Sequence, residues 1–266
     1  MVENAKSISE VTSLLQKSIT PLGRREEISL CSANGRICAE HIYSPLSLPT
    51  SNNAAVDGFA FHYEWSTSHP NYVYDIVAEI RAGHPYSGKL LPGQAVAIFT
   101  GAIVPEELDC IVMQENCILE EKKRVRIPFA PKKGLNIRMA GENLRKGEVI
   151  IKDGQRISAA DIGQLSAIGR SKIFCYSELS IGVLSTGDEV MDASNTKVFS
   201  KLRHGKLYDT NRPMLKAMVT KDNHFCSDYG IIIDDKTSLQ EGYEKALSEN
   251  DVVISLGPAG TGKSFL

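Results

Sequence analysis

The sequence predicts a multidomain protein of the α/β and β classes. Mainly helical segments flank a small β domain, which is an insertion in a discontinuous first domain if these segments pack together, and an α/β domain with a parallel sheet follows. Three observations support this prediction. Short β-branched or aromatic runs, separated by Gly, Pro and charged turns, fill much of residues 72–127. Helical signals return after Gly141, and strand-like and helix-like segments alternate over residues 177–266.

Composition narrows the classes of function. The 266 residues are 42% hydrophobic, which is normal for a soluble globular protein. Thirty basic and thirty-two acidic side chains give a formal net charge of −2, so there is no electrostatic argument for binding nucleic acid or an anionic membrane. Without a long apolar run or a signal-peptide pattern at the N-terminus, we expect a cytoplasmic protein with a small molecule or another protein as partner.

The six cysteines are widely spaced. No two are closer than seven positions, so the sequence has no CxxC metal or redox pair. We expect most of them to be buried as small hydrophobic side chains.

Two amphipathic helices are predicted for the first domain. In the N-terminal helix, the apolar residues fall on one face, with Ser7 or Ser9 as the N-cap and Glu10 in the first turn. The second helix starts with the capping-box-like segment Ser158–Asp161 and ends at Gly169. Between them, residues 37–42 fit either a helix or a strand.

A polar, proline-broken loop over residues 43–60 precedes the β domain, and a domain boundary is expected there. The loop ends in the run Ala54–Ala60. The strands expected after it are Tyr72–Ile80, Gln94–Phe99, Cys110–Met113 and Arg124–Ile127.

The α/β domain is expected to hold the functional site. Its predicted strands are 179–184, 229–233 and 251–256, with helices around 214–219 and 243–247. This alternation predicts a parallel sheet, whose ligands bind beyond the carboxyl ends of the strands. Two acid-bearing loops, 185–189 and 208–213, follow strand-like runs, so we expect them to share one crevice.

Each candidate acid also has a structural interpretation. Asp57 lies directly before Gly58. It could be a turn acid that accepts hydrogen bonds from its own backbone, or it could be a residue of a cleft, and the local sequence fits both interpretations equally well. Asp188 and Glu189 could cap a helix or hold a divalent cation. For Asp209, the local sequence favours the role of a helix-capping acid over that of a ligand-binding residue. None of the six histidines is assigned to catalysis.

The segment Gly257–Ser264 matches the phosphate-binding pattern G-x-x-x-x-G-K-[ST]. By itself the pattern predicts a nucleotide triphosphatase. Only two residues follow Ser264 in this sequence, whereas such a loop stabilises phosphate with the helix that comes after it. We therefore expect this loop not to bind nucleotide in the present chain.

Several motifs, in order along nearly the whole chain, resemble the molybdopterin molybdenumtransferase family of molybdenum cofactor biosynthesis, which is related to the E domain of gephyrin. The first is close to the family pattern N-S-A-M-D-G-Y-A. The motifs are Pro49–Ala60, Ile98–Pro105, Val112–Glu115, Ile137–Asn143, Leu184–Val190, Tyr208–Pro213 and Asp251–Ser255.

The resemblance implies a domain order: a discontinuous first domain (1–46 plus 140–176), an inserted β domain (47–139) and a partial α/β molybdopterin-binding domain (177–266). The family has further residues and a C-terminal β domain beyond this point, so we expect the chain to end inside the third domain. The resemblance also implies a homodimer, because family clefts are assembled from two subunits.

The implied activity is the insertion of molybdenum into adenylated molybdopterin, with molybdate as the second substrate and Mg²⁺ as the divalent cation. By motif, the expected roles fall into three sets. The catalytic residues are Asp57, Thr100 and Glu189. The substrate-binding residues are Ser185, Thr186, Gly187, Asp209, Asn211 and Gly257. The metal ligands are Asp188, Glu189 and Asp209.

Three positions depart from the family pattern. Asn143 stands where family members usually have Asp, which makes one potential metal or molybdate ligand neutral. In the family's glycine loop, the second Gly is replaced by Pro258 and the Asp by Phe265. Two alternative functions therefore stand beside the transferase: a non-catalytic dimeric binding module and a phosphate-loop nucleotide hydrolase.

Overall fold

The structure is a computed structural model that describes residues 6–68, 73–121, 123–195, 202, 204–221 and 224–257. The chain divides into two compact units. Unit A comprises Met1–Ala39 and Lys172–Leu266, and unit B comprises Glu40–Ser171. The three-domain division predicted from the sequence stays a prediction. Within the described residues, no helix has both the length and the apolar character needed to span a membrane.

The α-helices are α1 (Ile8–Ser18), α2 (Tyr63–Ser68), α3 (Ala159–Ala167), α4 (Asn211–Lys221) and α5 (Lys236–Glu249). The strands are β1 (Arg25–Ser29), β2 (Ile42–Tyr43), β3 (Asn53–Ala54), β4 (Gly58–Phe61), β5 (Val73–Ile80), β6 (Gln94–Ile98), β7 (Cys110–Met113), β8 (Ile118–Glu120), β9 (Arg124–Arg126), β10 (Ile137–Arg138), β11 (Val149–Ile151), β12 (Lys172–Tyr176), β13 (Ser180–Thr186), β14 (Val190–Met191), β15 (Leu207–Tyr208), β16 (Phe225–Ile232) and β17 (Val252–Leu256). Short 3-10 helices cover Leu30–Ser32, Gln114–Asn116 and Ala193–Asn195.

Capping boxes start two helices where the sequence predicted them. In α1, the Ser7 hydroxyl accepts from the Glu10 N–H, and the Glu10 carboxylate accepts from the Ser7 N–H. Ser158 and Asp161 make the same reciprocal pair at the start of α3. Each box satisfies two backbone donors that a helix start leaves without partners. Gly169 follows α3 with φ of 79°, the left-handed conformation of a helix C-terminus.

Unit B is built on a six-stranded mixed sheet with the order β7-β4-β6-β5-β9-β8. Strands β5 and β6 are parallel, and the other neighbours are antiparallel. Side chains alternate between two buried faces, since Ala60, Val96 and Ile111 belong to one core cluster while Phe61, Ala95 and Cys110 belong to the other. The sheet is therefore covered on both faces.

The prediction of a loop over the whole of residues 43–60 is wrong at its end. Residues Gly58–Phe61 form β4, a central strand in which all four residues are buried. A strand buried on both faces shows no polar alternation, so the periodicity that identifies an amphipathic strand is absent. Helix α2 was also not predicted.

Unit A contains a three-stranded parallel sheet with the order β16-β13-β17, as the alternation of strands and helices predicted. Strand β13 is central, and Ile181, Val183 and Leu184 in it are buried. Helix α4 packs on this sheet through Val219, which is in the same core cluster as Ile181 and Val183. The carboxyl ends of β13 and β17 lie side by side, because Ser185 pairs with Leu256.

Residues 1–46 and 140–176, which were expected to be mainly helical, contain both helices and strands in the described structure. Helices α1 and α3 are accompanied by strands β1, β2, β11 and β12. Strand β1 pairs antiparallel with β12, and β2 with β11, so each of these short strands has a partner more than a hundred residues away. A pairing between such distant segments leaves no local periodicity, so the pairing itself could not be predicted from the sequence.

Alanine substitutions at two glycines test the close approach of β4 to β7 in unit B. A Cβ on Gly58 would lie 2.0 Å from the Val112 carbonyl oxygen, whereas a Cβ on Gly163 in α3 would meet no atom within 4 Å. We expect Gly58→Ala to destabilise the fold by about 1–3 kcal/mol, the usual cost of overpacking. Gly163→Ala is the control and should be neutral or stabilising by up to ~1 kcal/mol, because alanine favours the helix. Urea unfolding measures both, and equal midpoints for the two variants would contradict the close approach.

Candidate functional site

A pocket of about 330 Å³ opens in unit A where β13 and β17 end. Its walls come from three places: the end of β13 and the loop after it, the end of β17, and the segment that leads from β15 into α4. The lining residues are Ser185, Thr186, Glu189, Val190, Leu207, Asp209, Thr210, Asn211, Leu256 and Gly257. Six residues that were assigned from the sequence to catalysis or binding therefore line one pocket: Ser185, Thr186, Glu189, Asp209, Asn211 and Gly257.

The loop after β13 is shaped by its glycine. Gly187 has φ of 132°, and a Cβ on it would lie 2.7 Å from the Glu189 carboxylate. Side chains other than glycine are strained in this conformation. The neighbouring Asp188 is exposed, and its carboxylate accepts from the Asp234 N–H at 3.2 Å. Neither Gly187 nor Asp188 is among the residues that line the pocket.

Asp209 is a buried residue of the pocket lining, and its carboxylate accepts hydrogen bonds from three donors. The Ser185 hydroxyl donates to its Oδ2 at 2.8 Å, and Arg212 donates to Oδ1 from its N–H at 3.1 Å and to Oδ2 from Nε at 2.9 Å. The backbone bond gives Asp209 the capping role at the start of α4 that the local sequence favoured. The same carboxylate connects the end of β13 to α4.

Arg212 is a buried cation at the centre of an ionic cluster. Only 5% of the residue is exposed. Besides Asp209, its guanidinium contacts Asp228 at 2.5 Å and Asp192 at 2.5 Å, and Lys216 adds a second cation at 2.7 Å from Asp228. One arginine thus neutralises carboxylates from three separate parts of unit A, each through charge-assisted hydrogen bonds.

The pKa of each acid in the cluster is lowered. Hydrogen bonds from Ser194, followed by the contact with Arg212, lower the pKa of Asp192 to about 2. For Asp209, burial by itself would raise the pKa, but the bonds from Ser185 and Arg212 outweigh it and the pKa is lowered. For Asp228, burial would also raise the pKa, but hydrogen bonds from Lys216, Gly230 and Arg212 outweigh it and the pKa is lowered. All three acids are therefore ionised at neutral pH.

The three predicted magnesium ligands, Asp188, Glu189 and Asp209, lie in different surroundings. Among the residues that the structure describes, no group of three or more His, Cys, Asp or Glu side chains is placed to hold a metal ion. Asp209 already accepts three hydrogen bonds, and Asp188 does not line the pocket. Of the three predicted metal ligands, Glu189 is the one that lines the pocket without belonging to the Arg212 cluster.

The other two predicted catalytic residues lie in unit B and contact each other. The Asp57 carboxylate accepts from the Thr100 N–H and from the Thr100 hydroxyl, both at 2.7 Å. The backbone bond, followed by the hydroxyl bond, lowers the pKa of Asp57. Thr100 is exposed and Asp57 is half-buried. The pair therefore holds an ionised carboxylate near the surface of this unit.

Asn143 keeps an acceptor at the position where an acid was expected. Its Oδ1 accepts from the Arg138 guanidinium at 3.2 Å, and Glu142 accepts from the same guanidinium at 2.7 Å. The amide thus makes a hydrogen bond that a carboxylate could also make, but without the negative charge.

Sequence reasoning missed the ionic cluster. Arg212 lies inside the motif Tyr208–Pro213, yet only its neighbours were assigned roles. Asp192 and Asp228 follow no recognisable motif, and their association depends on the fold of unit A. Thr210, which lines the pocket, was also missed. The remainder of the phosphate-loop pattern, Pro258–Ser264, lies outside the described residues.

Comparisons with known proteins identify two matching family models. One, described as the MoeA N-terminal region (domain I and II), matches residues 6–169. The other, described as a probable molybdopterin binding domain, matches residues 182–264. Together they span both units.

The similar proteins carry consistent names. A molybdopterin molybdenumtransferase of Haemophilus influenzae is 33% identical over 239 residues, which is 90% of this chain and 57% of that protein. One from Nostoc sp. is 34% identical over 240 residues, 89% of this chain and 54% of that protein. The chain thus spans about half the length of the curated relatives it matches. The crystal structure of the molybdopterin biosynthesis moeA protein from Pyrococcus horikoshii OT3 is similar with a TM-score of 0.84 and 29% identity, covering 93% of this chain and 65% of that one.

Removal of the central cation tests the ionic cluster. We expect Arg212→Met to lower the free energy of unfolding by about 3–5 kcal/mol, because it leaves the buried carboxylate of Asp209 without its cation. Lys172→Met is the control, since Lys172 and Glu27 form an exposed ion pair in the same unit. That substitution should change stability by less than about 1 kcal/mol. Urea unfolding at neutral pH measures both variants, and a change below about 1 kcal/mol for Arg212→Met would show that the cluster is not needed for stability.

Proposed function

The chain belongs to the molybdopterin molybdenumtransferase family, and from this premise we propose that it acts in the insertion of molybdenum into adenylated molybdopterin. One observation carries the proposal: the pocket at the ends of β13 and β17. This is the position where ligands of open parallel sheets bind. All ten residues that line the pocket lie within residues 182–264, which the molybdopterin-binding model matches.

The lining of the pocket suits a pterin substrate. A volume of about 330 Å³ is at the lower end of the range for small-molecule sites. Val190, Leu207 and Leu256 offer apolar surface to a planar ring. Thr186 and Thr210 offer hydroxyls that can donate to or accept from ring heteroatoms. We propose that these groups orient the substrate, and that Gly187 and Gly257 shape the backbone around it.

Glu189 has a different role in this proposal, because it is the acid of the lining that lies outside the Arg212 cluster. We propose that it accepts hydrogen bonds from the substrate. Hydrogen bonds to charged groups contribute about 1.5–3 kcal/mol each. Asp209, in contrast, is a positioning residue, since its carboxylate is occupied by Ser185 and Arg212. The Mg²⁺ ion and its ligation by Asp188, Glu189 and Asp209 remain predictions.

Asp57 and Thr100 supply a second functional group. Because the bonds from Thr100 lower the pKa of Asp57, the carboxylate is ionised at neutral pH and cannot act as a proton donor. We propose that Asp57 is a catalytic residue that serves as an anionic acceptor, with Thr100 fixing its orientation. Asn143 reduces the negative charge available to a metal or to molybdate relative to the family pattern.

Calorimetry with three ligands tests the proposal. We expect the chain to bind adenylated molybdopterin, and Glu189→Gln to weaken that binding about tenfold or more, which corresponds to ~1.4 kcal/mol or more. Glu244→Gln, on the exposed surface of α5, should leave the affinity unchanged. Molybdate is titrated into the resulting complex, and ATP with Mg²⁺ is titrated separately. Binding of ATP without binding of adenylated molybdopterin would favour the nucleotide hydrolase, and equal affinities for the two variants would remove Glu189 from the site.

We also propose that the chain forms a homodimer in the cytoplasm. What supports association is helix α1, which buries none of its residues although it is amphipathic. Ile8, Val11, Leu14 and Leu15 are all exposed, Ile8 to 88%. Their spacing of three or four positions places them on one face, as in helices that pack against a partner.

Substitutions on α1 test the homodimer. We expect Leu15→Glu to shift the chain from dimer toward monomer, because it places a charge in the apolar face. Gln16→Glu adds the same charge on an exposed neighbouring position and should leave the mass unchanged. Light scattering at micromolar concentration measures the mass of each variant. A monomeric mass for the unsubstituted chain would contradict the proposal.

A further inference from the structure

Two buried cysteines lie opposite each other in unit A. Cys38 forms an antiparallel bridge with Cys175, on the side of β12 that is not paired with β1. Both residues have 0% of their surface exposed. All six cysteines are present as thiols. The spacing rules applied to the sequence could not identify this pair, because they consider only cysteines that are close along the chain.

The hydrogen bonds around the bridge define its geometry. The Ala39 N–H donates to the Phe174 carbonyl at 2.9 Å, and the Tyr176 N–H donates to the Ile37 carbonyl at 2.8 Å. Both bonds join the residues that flank the cysteines. Cys38 and Cys175 therefore occupy a non-hydrogen-bonded position, where opposed Cα atoms are about 4.5 Å apart and side chains lie on the same face. That separation is within the range of about 4.4–6.8 Å found in disulfides.

Three of the other cysteines lack this arrangement. Cys110, equally buried, lies opposite Phe61 in β4, and Cys226 lies opposite Ile181 in β13. Cys31 is exposed in a 3-10 helix. Cys38 and Cys175 thus differ from these three cysteines, because each lies directly opposite another cysteine.

We propose that Cys38 and Cys175 form a redox-responsive pair that converts between two thiols and a cross-strand disulfide. The oxidant is a low-molecular-weight disulfide such as glutathione disulfide. In a reducing compartment the pair is present as thiols, and the disulfide forms when the thiol pool becomes oxidised.

The exchange is balanced in two steps. The thiolate of one cysteine attacks a sulfur of glutathione disulfide, forms a mixed disulfide and releases one glutathione thiolate. The thiolate of the second cysteine attacks the protein sulfur of that mixed disulfide and releases the second glutathione. The two protein thiols lose two electrons and two protons, and one glutathione disulfide becomes two glutathione thiols.

The position of the pair along the chain determines what the disulfide would do. The chain leaves unit A after Ala39 and returns to it at Lys172, so a bond between Cys38 and Cys175 closes a covalent loop that contains all of unit B. Closing a long loop restricts the unfolded chain and so stabilises the fold. Cleavage within residues 40–171 would then leave two fragments that stay joined until they are reduced.

Oxidative refolding tests the proposal without depending on access to buried thiols. The full chain is unfolded, reduced, and refolded in buffers of increasing glutathione disulfide content, and a second sample is incubated in the same buffers without unfolding. Unreacted thiols are then alkylated, and linked peptides are identified by mass spectrometry without reduction. We expect a Cys38–Cys175 peptide, a thiol count lower by two, recovery of all six thiols with dithiothreitol, and a higher Tm for the oxidised chain.

Matched variants separate this pair from the other cysteines. Cys38→Ala and Cys175→Ala should each lose the linked peptide and the rise in Tm, whereas Cys110→Ala removes an equally buried thiol and should keep both. Absence of the Cys38–Cys175 peptide from both samples of the unsubstituted chain would overturn the proposal. Preferential linkage through Cys31 or Cys226 would overturn it as well.

Discussion

The salt bridges of Arg212 are the constraint on which the functional half of unit A depends. A single guanidinium, 5% exposed, contacts acids from the segment after β14, from the start of α4 and from β16. Three carboxylates this close together would repel one another and would be costly to desolvate without a cation. Arginine suits the position because its planar fork can donate to several carboxylates at once.

This cluster determines which groups of the pocket are available to a ligand. Asp209 is locked by Ser185 and Arg212, which fixes the end of β13 relative to α4. The side chains left to face the pocket are Glu189, neutral hydroxyls and amides, and three aliphatic residues. Because the Arg212 cluster occupies Asp209, the rest of the pocket lining is only moderately polar. Such a lining matches a heterocyclic substrate better than it matches a bare anion.

Local signals in the sequence predicted the elements that have local causes. Capping boxes at Ser7 and Ser158, the alternation of strands and helices, and the parallel sheet are all present in the structure. The features that were missed have long-range causes. Strand β4 is buried on both faces and carries no alternation, and the cysteines of the bridge are brought together only when β12 forms.

The same distinction applies to the site. The motifs located both acid loops, and the structure places six of the assigned residues around one pocket. The motifs could not show that Asp209 is occupied by Arg212, because Asp192 and Asp228 reach the cluster from distant segments. The residues of a pocket can thus be read from motifs, whereas the competition among its charges depends on tertiary contacts.

The path of the chain through unit A also has a consequence for biosynthesis. Strand β1 pairs with β12, and Arg24 contacts Asp251 at 2.5 Å, so the first segment of the unit needs partners that leave the ribosome much later. Unit B, by contrast, is one continuous stretch from Glu40 to Ser171. During translation, unit B has its complete set of contacts before unit A does, and domains generally fold as units when their residues have emerged. Strand β1 of the nascent chain must therefore wait for its partner strand β12 until the whole of unit B has been made.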